Sequence, residues 1–380
     1  MHAFEIVLVI AWGWTLGMTI LNVVLVPRLK IARPDRNVWP TLLSVVIPAR
    51  NEEGAIERTV RAMLAQTYDT LEVVVVNDRS TDGTGEILAA IAREDSRLVV
   101  VDGVEPPAGW LGKPWACNQG CNAARGEMLL IVDADIYYAP NAVASIVAEM
   151  ERRPDVAMIT VLPRFELRGF GENIAMPMLA FTAFTFIPTW LANRTRIPAI
   201  GIGGGTGNMI RRRDFDDIGG YAPLHDAVID DVGMAQQLRR AGKRTMAVLA
   251  DHLISLHMYD GLREITVGFT KNLFAAFGGS FASLAAMFVI MIGFHLVPYA
   301  LALRGDVLAI VAVALITLSR LLVFARLRMR IDNAVLGHPL MIGVWTWIFA
   351  RSAWVTGVRR QLHWRGRNYE RAWSRFGSGR

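Results

Sequence analysis

Asp133-Ala134-Asp135 places two carboxylates two residues apart, directly behind the apolar run Met128 to Val132. Hard divalent cations take oxygen ligands, and Mg2+ or Mn2+ commonly completes its shell with water and phosphate, so such a pair can hold a cation that also grips a diphosphate. A cation there would neutralise charge on a departing nucleotide. Taken alone the pattern is also that of a solvated turn, because Asp favours turns and helix caps. Asp230-Asp231 is a second pair. It opens an amphipathic helix, Val232 to Ala241, with Met234, Leu238 and Ala241 on one side and Arg239, Arg240 and Lys243 on the other. A carboxylate so placed can serve as a general base, or simply complement the helix dipole. Lys113 is a cation suited to a diphosphate or to plain solvation in a loop.

These residues need a scaffold, and the chain between Leu42 and about Leu256 offers one. Apolar runs at Leu43 to Ile47, Val73 to Val76, Leu98 to Val101 and Met128 to Val132 alternate with helical spacing at Ala55 to Ala65, Gly85 to Ala92 and Pro114 to Ala124. Strands joined by crossover helices make an α/β, Rossmann-like, mostly parallel sheet covered on both faces, with ligands at the carboxyl ends of its strands. Three such ends carry acidic turns: Pro48-Ala49-Arg50-Asn51-Glu52-Glu53, Asn77-Asp78-Arg79-Ser80-Thr81-Asp82-Gly83, and Asp133-Ala134-Asp135. Further on, Gly201-Ile202-Gly203-Gly204-Gly205-Thr206-Gly207-Asn208 lacks the Lys-Ser/Thr ending of a P-loop and the strand-helix setting of a dinucleotide site. Its glycines are expected either to let backbone approach a sugar or acceptor, or to form a tight loop of positive φ.

The order and spacing of Pro48-Ala49-Arg50-Asn51-Glu52, Asn77 to Thr84, Gly112-Lys113 with Ala116, Asn118 and Gly120, Arg125-Gly126-Glu127 and Asp133-Ala134-Asp135 resemble family 2 glycosyltransferases over about two hundred residues. The likeness is strongest to the membrane-bound branch containing hopene-associated and carotenoid-type enzymes. The resemblance implies a GT-A fold and an inverting enzyme that moves one sugar from a nucleotide-diphosphate sugar, by family habit a UDP-sugar, to a membrane lipid: a hopanoid, a carotenoid, or another polyisoprenoid or glycolipid. It also implies residue roles. Pro48, Ala49, Arg50, Asn51, Glu52 and Asp78 would form the nucleoside pocket, Lys113 would face the diphosphate, Asp133 would touch ribose or metal, and Asp135 would be the main ligand of Mg2+ or Mn2+. Asp231 would be the base, with Asp230 where the family has Glu. Gly204, Gly205 and Gly207 would lie beside the acceptor. Gln361, Trp364 and Arg365 resemble the family's Gln/Arg-x-x-Arg-Trp signature with Trp and Arg exchanged, an acceptor-side role. The sequence departs from the pattern at Asn77, where Asp is common, and at Arg79, where Gly is common.

The remaining chain reads as membrane-associated. Mean hydropathy is +0.33 with 53% apolar residues, and the excess is concentrated in segments. Residues 1–27 read as a retained anchor followed by Arg28, Lys30, Arg33 and Arg36, and 40–258 as a cytoplasmic catalytic domain with an interfacial stretch at 174–191. Residues 259–380 contain spans near 283–303 and 307–325, an interfacial or re-entrant helix at 334–357 with Trp345, Trp347 and Trp354 at headgroup depth, and a basic cytoplasmic tail. The basic flanks predict a multi-pass protein of the cell (inner) membrane. The net charge of +6 sits beside the apolar segments, which points to lipid headgroups and against nucleic acid as a partner. A processive polysaccharide synthase has too few spans here for a translocation channel, and a non-catalytic scaffold would not need acidic residues at three sites. The two cysteines, Cys117 and Cys121, suit a buried helix face.

Overall fold

The computed structural model describes residues 2–32, 41–276, 280–358, 363–364 and 367–368, and the chain divides into two compact units. In chain order the elements are α1 (His2–Leu25), β1 (Leu43–Ala49), α2 (Ile56–Leu64), β2 (Leu71–Asn77), α3 (Thr84–Glu94), β3 (Leu98–Asp102), α4 (Gly112–Ala123), β4 (Met128–Ile131), β5 (Ile136–Tyr138), α5 (Ala142–Glu151), β6 (Val156–Leu162) and β7 (Arg164–Phe165). Then come α6 (Phe170–Ala175), α7 (Pro177–Thr185), α8 (Thr189–Ala192), β8 (Asn208–Arg211), α9 (Arg212–Asp217), α10 (Asp230–Arg240), β9 (Arg244–Leu249) and β10 (Ile254–Leu256). The chain continues through α11 (Gly261–Ala276), α12 (Phe281–Ile290), α13 (Val297–Ala302), α14 (Val307–Leu327) and α15 (Asp332–Ser352).

One unit, residues 26–166 and 189–258, is built on a seven-stranded sheet ordered β3-β2-β1-β4-β8-β6-β9. All neighbours pair in parallel except β8, which runs against β4 and β6. The expected mostly parallel sheet is therefore present. Its strands divide their side chains with period two: Val45, Ile47, Val73, Val75 and Leu130 join one core with α2, α3 and α5, whereas Val46, Val74, Leu129 and Ile131 join another with α4 and α10. Both faces are thus covered, which is why the strands read as continuous apolar runs rather than alternating ones. Burying such side chains contributes roughly 1.5–3 kcal/mol each before conformational entropy is set against it. The sequence reading located the first four strands and missed β6, β8 and β9.

The strand order fixes where a ligand can sit. From β1 the chain builds outward through β2 and β3, then crosses back to place β4 on the other side of β1. Beyond the carboxyl ends of β1 and β4 the connections diverge, and such a switch point leaves a crevice. The antiparallel β8 enters at this same edge, with Asn208 opposite Ile131 of β4 and Thr160 of β6.

The other unit, residues 1–25, 167–188 and 259–380, is a helix bundle. Ala3–Leu25, Phe281–Ala302 and Val307–Leu327 are each long and apolar enough to cross a membrane. Trp12, Phe181, Ile316, Met341 and Trp345 pack in its interior, while Val7, Ile10, Trp14, Val289 and Val307 face outward. The apolar stretch after residue 174 is broken, with Pro177 starting α7 and Asn22 of α1 donating to the carbonyls of Phe184 and Ile187 at 2.8 Å where that helix stops. Residues 332–358 form α15 running into a π-helical turn, Ala353–Val358. Trp345, expected at headgroup depth, is instead buried and donates to Ala175 O at 2.7 Å, because the indole N–H finds its acceptor inside the bundle. Trp347 and Trp354 are exposed.

Candidate active site

The crevice beyond β1 and β4 is lined by charge. Behind β4, Asp133 accepts from Lys113 of α4, with Oδ1 2.7 Å from Nζ, and the same ammonium lies 3.7 Å from Asp230 Oδ1. Three residues separated by 20 and 97 positions therefore meet at one cation. Lys113 begins α4, Asp230 begins α10, and both helices pack on the same face of the sheet, so their first turns point to the same edge.

The electrostatics follow from this arrangement. Burial works against the Lys113 charge, but Asp133, Asp230 and Asp231 more than reverse it and hold the ammonium well above the ordinary lysine range. Burial pushes the Asp230 carboxyl up to about 6, Lys113 pulling it down and the charges of Asp231 and Asp133 adding to the rise. Asp230 is 3% exposed and accepts from the buried Tyr221 hydroxyl at 3.4 Å. Asp231 is half-buried, its Oδ1 accepting from Val232 N at 2.7 Å. Of the two, Asp231 is the one a substrate can reach.

The glycine run is threaded between these carboxylates. A side-chain carbon on Gly205 would collide with Asp133 Oδ2, and one on Gly203 would collide with the Asp231 carbonyl. Asp133 N donates to Gly205 O at 2.8 Å. Asn208 closes the loop: its Oδ1 accepts from Thr160 Oγ1 at 2.8 Å and from Gly204 N at 3.3 Å, and its Nδ2 donates to Asp231 O at 3.5 Å. At Gly207 (φ 144°) the chain turns past Tyr138, whose hydroxyl donates to Thr206 O at 2.7 Å. The absence of side chains at Gly205 and Gly203 thus lets the loop come up against Asp133 and Asp231. Tyr221, Thr160 and Tyr138 were not singled out from sequence. Nothing local marks them, whereas Asn208 stood at the end of the glycine run.

The ends of β1 and β2 form the other wall. Asp78 is buried, its N–H donating to Ala49 O at 2.8 Å, with Arg50 and Arg79 guanidiniums 3.7 and 3.6 Å from its carboxylate. Asn51, at φ 54°, accepts from Thr81 N, while Glu52 N donates to Thr84 Oγ1, so the two turns brace each other. Pro48 and Ala49 complete β1. Arg79 has φ 55°, left-handed backbone that explains why glycine suits the position, and its side chain pairs with Glu105. Gln361 and Arg365 lie outside the described residues. His363 and Trp364 pair antiparallel with Asn368 and Arg367, but the Trp364 side chain is likewise outside the description.

A metal would find an all-oxygen donor set in Asp133 and Asp135, on the turn between β4 and β5. No group of three His, Cys, Asp or Glu side chains poised for a metal occurs among the described residues. The protein would then supply few ligands and leave positions for phosphate and water, which fits Mg2+ or Mn2+.

Comparison with known proteins agrees with this geometry. Residues 44–219 match the model of glycosyl transferase family 2. Two curated Staphylococcus aureus relatives, both 4,4'-diaponeurosporenoate glycosyltransferases, are 24% identical; one alignment covers 86% of this chain and 88% of the relative, the other 95% and 96%. A solved mannosyltransferase from Pyrobaculum calidifontis, in complex with GDP-Man and Mn2+, superposes with a TM-score of 0.55 at 22% identity over 94% of this chain and 98% of that one, a likeness of fold. With a mostly parallel sheet, acidic turns at the expected strand ends and this match over 44–219, the chain has a GT-A-type fold and is a glycosyltransferase whose residues 44–219 are similar to family 2.

Proposed function

We propose that the chain transfers one sugar, with inversion, from a nucleotide-diphosphate sugar to a carotenoid-type or related polyisoprenoid lipid in the membrane. The observation that carries this reading is the meeting of Asp133, Lys113, Asp230 and the Asp231 backbone around one glycine loop at the sheet's switch point. The turns at Pro48 to Glu52 and Asp78 hold the nucleoside, a UDP-sugar being the expected donor, and Lys113 faces the diphosphate. Asp133 and Asp135 would hold Mg2+ or Mn2+, which when bound supplies charge neutralisation to the leaving diphosphate. Asp231 takes the proton of the acceptor hydroxyl as its oxygen bonds to the anomeric carbon. The carbon–oxygen bond to the diphosphate breaks, and its electron pair leaves with the nucleotide. Asp230, buried beneath, keeps Lys113 oriented. Gly204, Gly205 and Gly207 border the acceptor.

The acceptor class is supported by the names of the curated relatives and by the three apolar helices. Basic residues support a cytoplasmic catalytic unit in a multi-pass inner-membrane protein: Arg28 and Lys30 follow α1, and Arg326, Arg328 and Arg330 cluster at the end of α14. The test is a screen of the purified full chain against UDP- and GDP-sugars with polyisoprenoid and carotenoid lipids, with and without Mn2+. A glycolipid product formed by the native chain and lost in Asp231→Asn is expected. Transfer that survives the substitution unchanged refutes the base assignment, and a long carbohydrate product refutes single transfer.

A further inference from the structure

Arg320, on the apolar helix α14, is 1% exposed. Its guanidinium donates to Ala334 O at 2.9 Å, to Asn333 O at 2.8 Å and to His338 Nδ1 at 3.4 Å, with Met341 Sδ at 3.2 Å. The Phe324 and Phe181 rings lie 4.7 and 5.7 Å from it. None of these partners is an anion, and no carboxylate pairs with Arg320 among the described residues. A cation in apolar surroundings costs several kcal/mol unless something compensates it, and backbone carbonyls do so only in part.

The hydrogen bonds around it have a forced direction. An arginine can only donate, so His338 Nδ1 must accept. The neutral ring then carries its proton on Nε2, which lies 3.1 Å from His295 Nδ1. That atom must accept in turn, and the His295 proton is left on Nε2. The relay therefore runs from Arg320 through His338 to His295, each bond polarising the next. Its last donor, His295 Nε2–H, has no protein acceptor among the described residues. His295 sits in a π-helical segment, Met291–Leu296, a departure from α-geometry that recurs at functional sites. Around it stand aromatic rings: Trp12 at 5.1 Å, Phe294 at 5.3 Å and Phe186 at 5.9 Å between centroids.

We propose that the Arg320–His338–His295 relay binds the anionic oxygen, carboxylate or phosphate, of an amphiphile whose hydrocarbon lies along this aromatic wall. The positive charge calls for an anion, the forced tautomers aim a donor at it, and the rings favour a molecule with an apolar tail over a small ion. The site lies within the helical unit and is independent of the transfer reaction assigned to the other unit.

The test is direct binding. Full-length protein in a neutral maltoside detergent is titrated with cis-parinaric acid, a fluorescent long-chain carboxylate, and the probe is displaced with oleate, phosphatidylglycerol, oleyl alcohol or inorganic phosphate. Displacement by oleate identifies a carboxylate as the ligand and displacement by phosphatidylglycerol a lipid headgroup; in either case oleyl alcohol competes at least about tenfold more weakly. His295→Leu weakens probe binding about tenfold, the loss expected for one hydrogen bond to a charged group, and His295→Gln, which keeps an N–H, recovers part of it. Equal competition by oleyl alcohol, displacement by inorganic phosphate alone, or native affinity in His295→Leu overturns the proposal. If His295→Leu does not fold, the competition series on the native protein decides alone.

Discussion

Gly205→Ala tests whether the glycine loop sets the position of Asp133. The added carbon would overlap Asp133 Oδ2 and lie 2.6 Å from Cγ and 3.0 Å from Oδ1. The loop cannot simply retreat, because Gly205 O accepts from Asp133 N at 2.8 Å. The carboxylate must rotate, and the 2.7 Å pair with Lys113 is lost. A hydrogen bond between charged groups contributes about 1.5–3 kcal/mol, and the lower end applies here because both side chains keep some solvent contact. An off-rotamer carboxylate adds about 0.5–1.5 kcal/mol. The sum, about 2–3 kcal/mol, corresponds to a fall of roughly 30- to 150-fold in kcat/KM. Gly204→Ala is the control. Its added carbon meets only Thr206 Oγ1 at 3.4 Å and Thr160 Cγ2 at 3.9 Å, ordinary contacts, so donor hydrolysis, which needs no lipid acceptor, stays within about twofold. The assay is sugar transfer, or donor hydrolysis if no acceptor is in hand, read beside thermal unfolding of each variant. Native kcat/KM in Gly205→Ala, or equal losses of donor hydrolysis in the two variants, refutes the reasoning.

Asp231→Asn is expected to lower transfer to a hydroxyl acceptor about 10²- to 10⁴-fold while nucleotide-sugar binding, followed calorimetrically, is retained; loss of binding instead would make it a donor residue. Chelation with EDTA should abolish transfer and Mn2+ restore it, and Asp135→Ala should raise the Mn2+ concentration needed for half-activity; activity indifferent to EDTA contradicts the metal assignment. Because Asp230 ionises at about 6, its hold on Lys113 weakens as pH falls through that value, so kcat/KM should show an acid limb near pH 6 that Asp230→Asn removes. Stability moves the other way: a carboxyl whose native pKa is raised favours the fold when protonated, so this group's contribution declines as pH rises from the ordinary Asp range to 6, measurable as a urea midpoint. Glu72 is the opposite case. Burial alone would raise its pKa, but hydrogen bonds from Ser44 Oγ at 2.6 Å, Arg125 N at 2.7 Å and Arg125 Nε at 2.8 Å hold it below the usual value. Its stabilisation is present above the unfolded carboxylate pKa and disappears as pH falls through the native one, so Glu72→Gln should flatten the acid side of the urea-midpoint profile; an unchanged profile rules the clamp out.

The sequence by itself determined the features that depend on near neighbours. Fully apolar runs of four to seven residues, flanked by helical spacing, specify strands buried on both faces, and the ends of β1, β2 and β4 were legible to within two residues because the apolar runs give way there to polar turns, although β1 continues through Pro48 to Ala49. The three long apolar helices were legible for the same reason, since crossing a hydrocarbon layer is a matter of length and composition. Strands β6, β8 and β9 escaped because β8 is short and β6 and β9 depend on partners far along the chain. Only the tertiary structure decided that β8 runs antiparallel between β4 and β6, and this brings Asn208 and the glycine loop against Asp133 and Asp231. It also made Lys113 the shared partner of Asp133 and Asp230, and separated the buried Asp230 from the accessible Asp231, two adjacent and identical residues. Placing Arg320 next to His338 and His295 was likewise its work. Pair energies between charges depend on distance and on burial, and neither is written in the spacing of residues along the chain.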